Sequence, residues 1–178
     1  MIFLKTKTIF LIIIAIIILI LVKNKQERIV IPKESIRIRI IPNSNEEIDI
    51  NEKINIQKNV EKQLYLLLKN AKTIEEAREI INNNLDNLNL IIDDITNESH
   101  SIKFGQNYFP KKEYKGVIYD EGNYESLVIT LGHGVGDNWW CVLFPPLCMI
   151  EENDTTKDVE YQFLVKELID KYLTNKSF

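Results

Sequence analysis

The clearest alternation of apolar and polar positions lies in residues 36–40, where isoleucine and arginine take turns. Successive side chains of a β-strand point to opposite faces, so this pattern predicts a half-buried strand. The isoleucines would face the core. Arg37 and Arg39 would lie on a solvated face of the sheet.

Two longer stretches, residues 47–70 and 74–95, carry apolar side chains at helical spacing. Ser44 with Glu47 resembles a capping box at the start of the first stretch, and Thr73 with Glu76 resembles one at the start of the second. Because only a few residues separate the two predicted helices, we expect a helical hairpin laid on a sheet.

The period changes again after residue 100. Residues 102–108 predict a short strand with a bend, and residues 111–115 a charged connection. Residues 117–119 and 124–131 predict the two strands of a β-hairpin, and apolar positions from Tyr161 to Tyr172 predict a final helix. The pattern thus predicts an α+β fold, in which a small, mostly antiparallel sheet packs with the helical hairpin and the C-terminal helix.

An N-terminal membrane or signal helix is expected to precede this domain. Residues 9–22 form an unbroken apolar run with lysines on both sides. As a helix they span about 21 Å, less than the roughly 30 Å of a bilayer core. That length suits a signal peptide or a short signal-anchor. No small-x-small cleavage site comes after the run, which favours the uncleaved anchor.

The predicted organisation is therefore a signal-anchor or signal peptide at residues 1–25, a tether at 26–34 and an extracytoplasmic domain at 35–178. The chain has a net charge of −4, and its first 23 residues contain lysines but no acid. The exported part is thus more acidic than the whole. An acidic domain argues against nucleic acid as a partner, because nucleic acid requires clustered Lys and Arg.

The most distinctive segment is GHGVGDNWWCVLFPPLC at residues 132–148, hereafter the motif segment. It holds three of the six glycines, both tryptophans, both cysteines and two of the five prolines. Gly132, Gly134 and Gly136 come after a predicted strand, as in a dinucleotide site. The next residues, DNWW and soon two prolines, cannot open the helix that such a site requires. We expect no cofactor and no small-molecule substrate.

Two kinds of enzyme site could use the residue types of this segment. Cys141 or Cys148 with His133 or His100 would supply a thiol nucleophile and a base. His133, Asp137 and the two cysteines offer zinc-ligand types, but without a recognised ligand spacing. We therefore expect no metal. The alternative function is an extracytoplasmic enzyme, dependent on a thiol or a metal, that uses Cys141, Cys148 and His133.

The sequence leaves two states open for the cysteines. An extracytoplasmic location suits a disulfide. A fully extended chain would place Cys141 and Cys148 about 23 Å apart, whereas a bridge requires Cα atoms within about 7 Å. Pro145 and Pro146 allow a turn between the cysteines but do not demand one, so buried free thiols remain the other possibility.

The aromatic residues suggest a binding role. Adjacent residues of a strand point to opposite faces, so Trp139 and Trp140 cannot easily enter one core. We expect one of them to pack inward and the other to join Phe144, Pro145 and Pro146 at the surface. With Asn138, these residues are the candidate partner-binding set. The three glycines would set the path of the segment.

The motif segment closely resembles the signature of the stage II sporulation protein R family. The resemblance extends to IRIRIIPNSN at residues 36–45, to Phe109-Pro110 and to residues 122–129, and in total spans about residues 35–150. Departures from the family's pattern are Pro42 in place of a small alanine, DEG at residues 120–122 in place of PAG, and SLV at residues 126–128 in place of ALR. They concern the predicted hairpin surface.

The resemblance implies a signalling protein and not an enzyme. Such proteins are exported across the forespore membrane, or stay anchored in it, with the domain between the two sporulation membranes. There they trigger a membrane-embedded aspartic protease of the mother-cell membrane, which processes the pro-form of sigma-E. By this resemblance the partner is the extracytoplasmic region of that protease, with the N-terminal helix as the membrane attachment.

Overall fold

The structure is a computed structural model that describes residue 14, residues 29–148 and residues 158–174. Apart from residue 14, the predicted signal-anchor at residues 1–25 lies outside the described residues. Within the described part of the chain, no helix is long and apolar enough to cross a membrane.

The predicted α+β fold is confirmed, with mixed sheets. The strands are β1 (Ile29–Val30), β2 (Ile36–Ile41), β3 (His100–Phe109), β4 (Lys112–Tyr114), β5 (Val117–Tyr119), β6 (Gly122–Leu131) and β7 (Trp139–Phe144). The described helices are α1 (Glu47–Leu68), α2 (Ile74–Asn83), α3 (Leu85–Asp93) and α4 (Asp158–Ile169), which continues as a π-helical turn over Asp170–Thr174.

The larger sheet has the strand order β3-β6-β2-β7, and its central pair is parallel. Parallel neighbours require a long crossover, and here α1, α2 and α3 with β3, β4 and β5 lie between β2 and β6 in the chain. The predicted hairpin of residues 117–119 and 124–131 is wrong. β5 belongs to the smaller sheet, of order β1-β5-β4, whereas β6 pairs with β2 and β3.

The helical layer packs on one face of the larger sheet, where the isoleucines of β2 meet the apolar stripes of α1, α2 and α3. The single second helix predicted over residues 74–95 is wrong, because the chain breaks at Asn84, whose backbone is not helical, into α2 and α3. The capping box at Thr73 is confirmed, because the Glu76 N–H donates to Thr73 Oγ1 at 3.2 Å. The one at Ser44 is wrong. Glu46 occupies the N-cap of α1 without a side-chain cap, and the Ser44 hydroxyl instead donates to Asp49 Oδ2 at 2.5 Å.

The opposite face of the larger sheet is also covered, which corrects the prediction of a solvated arginine face. The smaller sheet and α4 pack there around a second cluster that includes Phe109, Tyr124 and Trp140. Arg37 is fully buried among these rings, with its guanidinium carbon 3.4 Å from the Tyr124 ring centroid. Burial lowers the pKa of Arg37 to about 10.

Two segments predicted to be irregular contribute to this second layer. Within the predicted tether, Ile29 and Val30 pair in parallel with Val117 and Ile118, and Ile31 is 2 % exposed. Residues 112–114 of the predicted charged connection form β4. The folded domain therefore begins before residue 35, and the smaller sheet is built largely from short strands whose pattern is too brief to predict.

Replacing Arg37 tests how this buried cation contributes to stability. Its Nε and Nη1 atoms have no hydrogen-bond partner, and an apolar side chain of similar length avoids the cost of desolvating a charge. We expect Arg37→Met to change the free energy of unfolding by less than about 1 kcal/mol. Arg37→Ala, which leaves a cavity between three rings, should lower it by about 2–4 kcal/mol. Urea denaturation measures both, and equal losses in the two variants would contradict this account.

Candidate functional site

The candidate site forms where the two parallel strands end. β2 runs directly into the turn at residues 42–45, and β6 into the first half of the motif segment at residues 132–138. Because neighbouring parallel strands point the same way, their carboxyl ends meet at one edge of the sheet. The sequence PNSN and the sequence GHGVGDN are thereby brought into contact.

Hydrogen bonds lock the loop at residues 132–137 onto the turn at residues 42–45. The His133 N–H donates to Asn43 Oδ1 at 2.9 Å, and the Asp137 N–H donates to Asn45 Oδ1 at 2.6 Å. Main-chain bonds add to these, from Val135 to the Asn43 carbonyl at 3.3 Å and from Gly136 to the Pro42 carbonyl at 3.2 Å. We call this contact the turn–loop interlock.

Asp49, in the first turn of helix α1, fixes the position of the turn at residues 42–45 by hydrogen bonds. Its Oδ2 accepts the Ser44 hydroxyl at 2.5 Å and Asn43 Nδ2 at 3.2 Å. The Asn43 side chain therefore uses its amide nitrogen on α1 and its oxygen on the loop. Sequence reasoning missed Asp49, and the only signal for it was an acidic residue in a first helical turn, where the helix dipole favours one in any case.

The glycines of the motif segment are required by this geometry. Gly132 and Gly134 have φ angles of +51° and +63°, which L-residues rarely adopt. A Cβ on Gly132 would also meet the Asn43 side chain, and one on Gly136 would meet the Ser44 carbonyl. The path of the loop thus depends on glycine, as expected from the sequence.

The second half of the motif segment is the edge strand β7, and it is buried on both faces. Trp139 is half-buried and packs against the helical layer, whereas Trp140, 8 % exposed, packs in the second cluster. The two tryptophans do point to opposite faces. The expectation that Phe144 and Pro145 join a surface cluster is wrong. Phe144 is 1 % exposed, and its ring packs edge-to-face against the ring of Tyr172 with the centroids 5.1 Å apart. Pro145 is also buried.

Cys141 and Cys148 are joined by a disulfide, with Cα atoms 5.5 Å apart. The prolines between them fold the chain back, and the Leu147 N–H donates to the Val142 carbonyl at 3.2 Å. Beside this turn, Leu143, half-buried Pro146 and Cys148 line a largely apolar cavity of about 210 Å³ together with α1 and Tyr172. Of the candidate partner-binding set, only Asn138 is exposed, whereas Trp139 and Pro146 are half-buried.

The described residues do not assemble the thiol or metal site that the alternative function, an enzyme, would require. Both sulfurs of the motif segment are bonded to each other, so neither is available as a thiolate nucleophile. His133 is exposed on the loop. Within the described ranges, no three His, Cys, Asp or Glu side chains are grouped closely enough to hold a metal ion.

The fold and site define a class: a small α+β domain in which the turn at residues 42–45 and the loop at residues 132–137 are hydrogen-bonded to each other at the ends of a parallel strand pair. A family model described as "Stage II sporulation protein R (spore_II_R)" matches residues 32–175. Stage II sporulation protein R of Bacillus subtilis (strain 168) is 37 % identical over 158 residues, which cover 85 % of this chain and 70 % of the relative. No solved structure matches. The chain belongs to the stage II sporulation protein R family and is a sporulation protein.

Substituting glycines tests the turn–loop interlock. Gly132→Ala should lower the free energy of unfolding by about 1–3 kcal/mol, because alanine resists positive φ and its methyl group displaces Asn43. Gly105→Ala is the matched control, since a Cβ there meets nothing within 4 Å. In an extended strand it should be neutral or stabilising by up to about 1 kcal/mol. Equal denaturation midpoints for the two variants would argue against the interlock.

Thiol labelling tests the disulfide. The chain unfolded without reductant should take up no alkylating reagent, and after reduction it should take up one at each cysteine, as measured by mass spectrometry. Replacing both cysteines by serine should lower the free energy of unfolding by about 2–4 kcal/mol, because the bridge restricts the unfolded chain. Labelling of both cysteines in the unreduced protein would contradict the bridge.

Proposed function

We propose that the chain is an exported sporulation signal that triggers a membrane-embedded aspartic protease to process the pro-form of sigma-E. The supporting observation is its membership of the stage II sporulation protein R family, which covers nearly the whole folded domain. The apolar run at residues 9–22 and the acidic composition of the remainder support export. On this proposal the domain acts between the two sporulation membranes.

We further propose that the chain acts by contact and not by catalysis. A thiol mechanism would need the cysteines that the disulfide consumes. The rival is open to a direct test, because an enzyme of that kind would lose all activity on replacement of both cysteines by serine. A contact signal would retain activity in proportion to the folded fraction.

The geometry refines which residues of the candidate set would make the contact. Trp140, Phe144 and Pro145 are buried within the domain. Replacing either Trp140 or Phe144 by alanine would therefore lower the free energy of unfolding by about 3–5 kcal/mol, whether or not that residue contacts a partner. Asn138, Trp139 and Pro146 retain exposed surface. We assign direct contact to these three, and to the buried members the support of the segment.

Removing residues 1–25 tests export. In sporulating cells that lack their own copy, the full chain should restore cleavage of the pro-form of sigma-E, followed by immunoblot. The chain without residues 1–25 should restore none, because its domain stays in the compartment of synthesis. Fusing the cleavable signal peptide of an unrelated exported protein to residues 26–178 is the control and should restore cleavage. Undiminished cleavage by the truncated chain would overturn the proposal.

A further inference from the structure

Two aliphatic side chains, one on the loop of the interlock and one beside it on α1, are exposed to solvent. Val135 at the tip of the loop is 74 % exposed, and Ile48 in the first turn of α1 is 73 % exposed. Both line one open pocket of about 440 Å³, together with Asn43, Ser44 and His133. Sequence reasoning singled out neither residue. We call this surface the crest pocket.

The crest pocket stands on a rigid base. The main-chain N–H groups of His133 and Val135 are both bonded to Asn43. Lys53 of α1 also donates to the Asp137 carbonyl, at 2.9 Å. A loop already held in place loses little further conformational freedom when a partner covers it, and such pre-organisation favours binding.

Carboxylates surround the two aliphatic side chains. Glu46, Glu52 and Glu98 line the pocket with Asp49. Asp49 is occupied by the turn. The nearby lysine, Lys53, directs its ammonium group to the Asp137 carbonyl. In the described part of the chain these acids do not form a group that could hold a metal ion. The surface therefore combines exposed apolar area with negative charge.

We propose that the crest pocket docks an extended segment of the protease partner that carries an aliphatic or aromatic side chain next to a lysine or arginine. Apolar contact with Val135 and Ile48 would supply affinity, and the glutamates would select the basic residue. A second copy of this acidic chain fits poorly, because its own crest pocket would bring like charges together. The inference rests on the proposed function and adds the chemistry of the partner's segment.

Two matched substitutions test the apolar part. Val135→Asp places a charge on the lining of the pocket, whereas Val159→Asp places one on α4 at a valine of nearly equal exposure, 72 %. Each full-length variant is expressed in sporulating cells that lack their own copy. We expect Val135→Asp to reduce cleavage of the pro-form of sigma-E by about tenfold or more, and Val159→Asp to leave it unchanged. Equal cleavage by the two variants would overturn the inference.

Charge reversal tests the acidic part. Glu52→Lys combined with Glu98→Lys should lower cleavage of the pro-form of sigma-E. The control is Glu79→Lys combined with Glu113→Lys, which changes the net charge equally and should leave cleavage unchanged, because both residues are exposed and absent from the pocket lining.

Photo-crosslinking tests the docking site directly. A photo-crosslinking amino acid at position 133 should capture the protease, and one at the exposed position 163 should not. If the wild-type chain restores cleavage but position 133 captures no protease, the assignment of the crest pocket as the docking site is wrong, whereas the proposed signalling function is retained. Failure of the wild-type chain itself would overturn the proposed function.

Discussion

The structure depends most on the hydrogen bonds by which the turn at residues 42–45 holds the loop at residues 132–137. Asn43 is central, because its side-chain oxygen accepts from His133 and its side-chain nitrogen donates to Asp49. Through this one residue, β2, the start of α1 and the motif segment are joined. The parallel pairing of β2 and β6 brings the two turns to one edge, and glycines without a Cβ allow them to approach closely.

The motif segment divides into two parts with different duties. Its second half, β7 and the disulfide-closed turn, fills both cores through Trp140, Phe144 and Val142. Its first half is the loop, whose side chains His133 and Val135 face solvent while its main chain is bonded to the turn. The long aromatic motif therefore works mainly from inside the domain, and the surface it supports is aliphatic and acidic.

Much of the architecture could be predicted from the sequence, because β2, α1 and α4 each carry a periodicity long enough to be distinctive. The partners of the strands could not. Nothing local to residues 117–131 shows that β5 and β6 enter different sheets, since pairing is decided by contacts far along the chain. The environment of Arg37 could not be predicted for a related reason. The alternation of isoleucine and arginine in β2 is typical of a strand with one solvated face. The rings that cover Arg37 belong to Phe109, Tyr124 and Trp140, on three other strands. The glycines and the possible disulfide were identifiable, whereas Ile48 and Val135 were not, because exposure is a property of the fold.

Native-state hydrogen exchange of the main-chain amides in the loop tests the central claim, the interlock, most directly. If the turn holds the loop, the amides of His133, Val135, Gly136 and Asp137 exchange slowly although the side chains of three of them are exposed. Asn43→Ala, which removes the acceptor for His133, should then speed exchange at that amide while leaving the middle of β6 protected. Exchange of these four amides in the wild-type chain at the rate of an unstructured peptide would contradict the account.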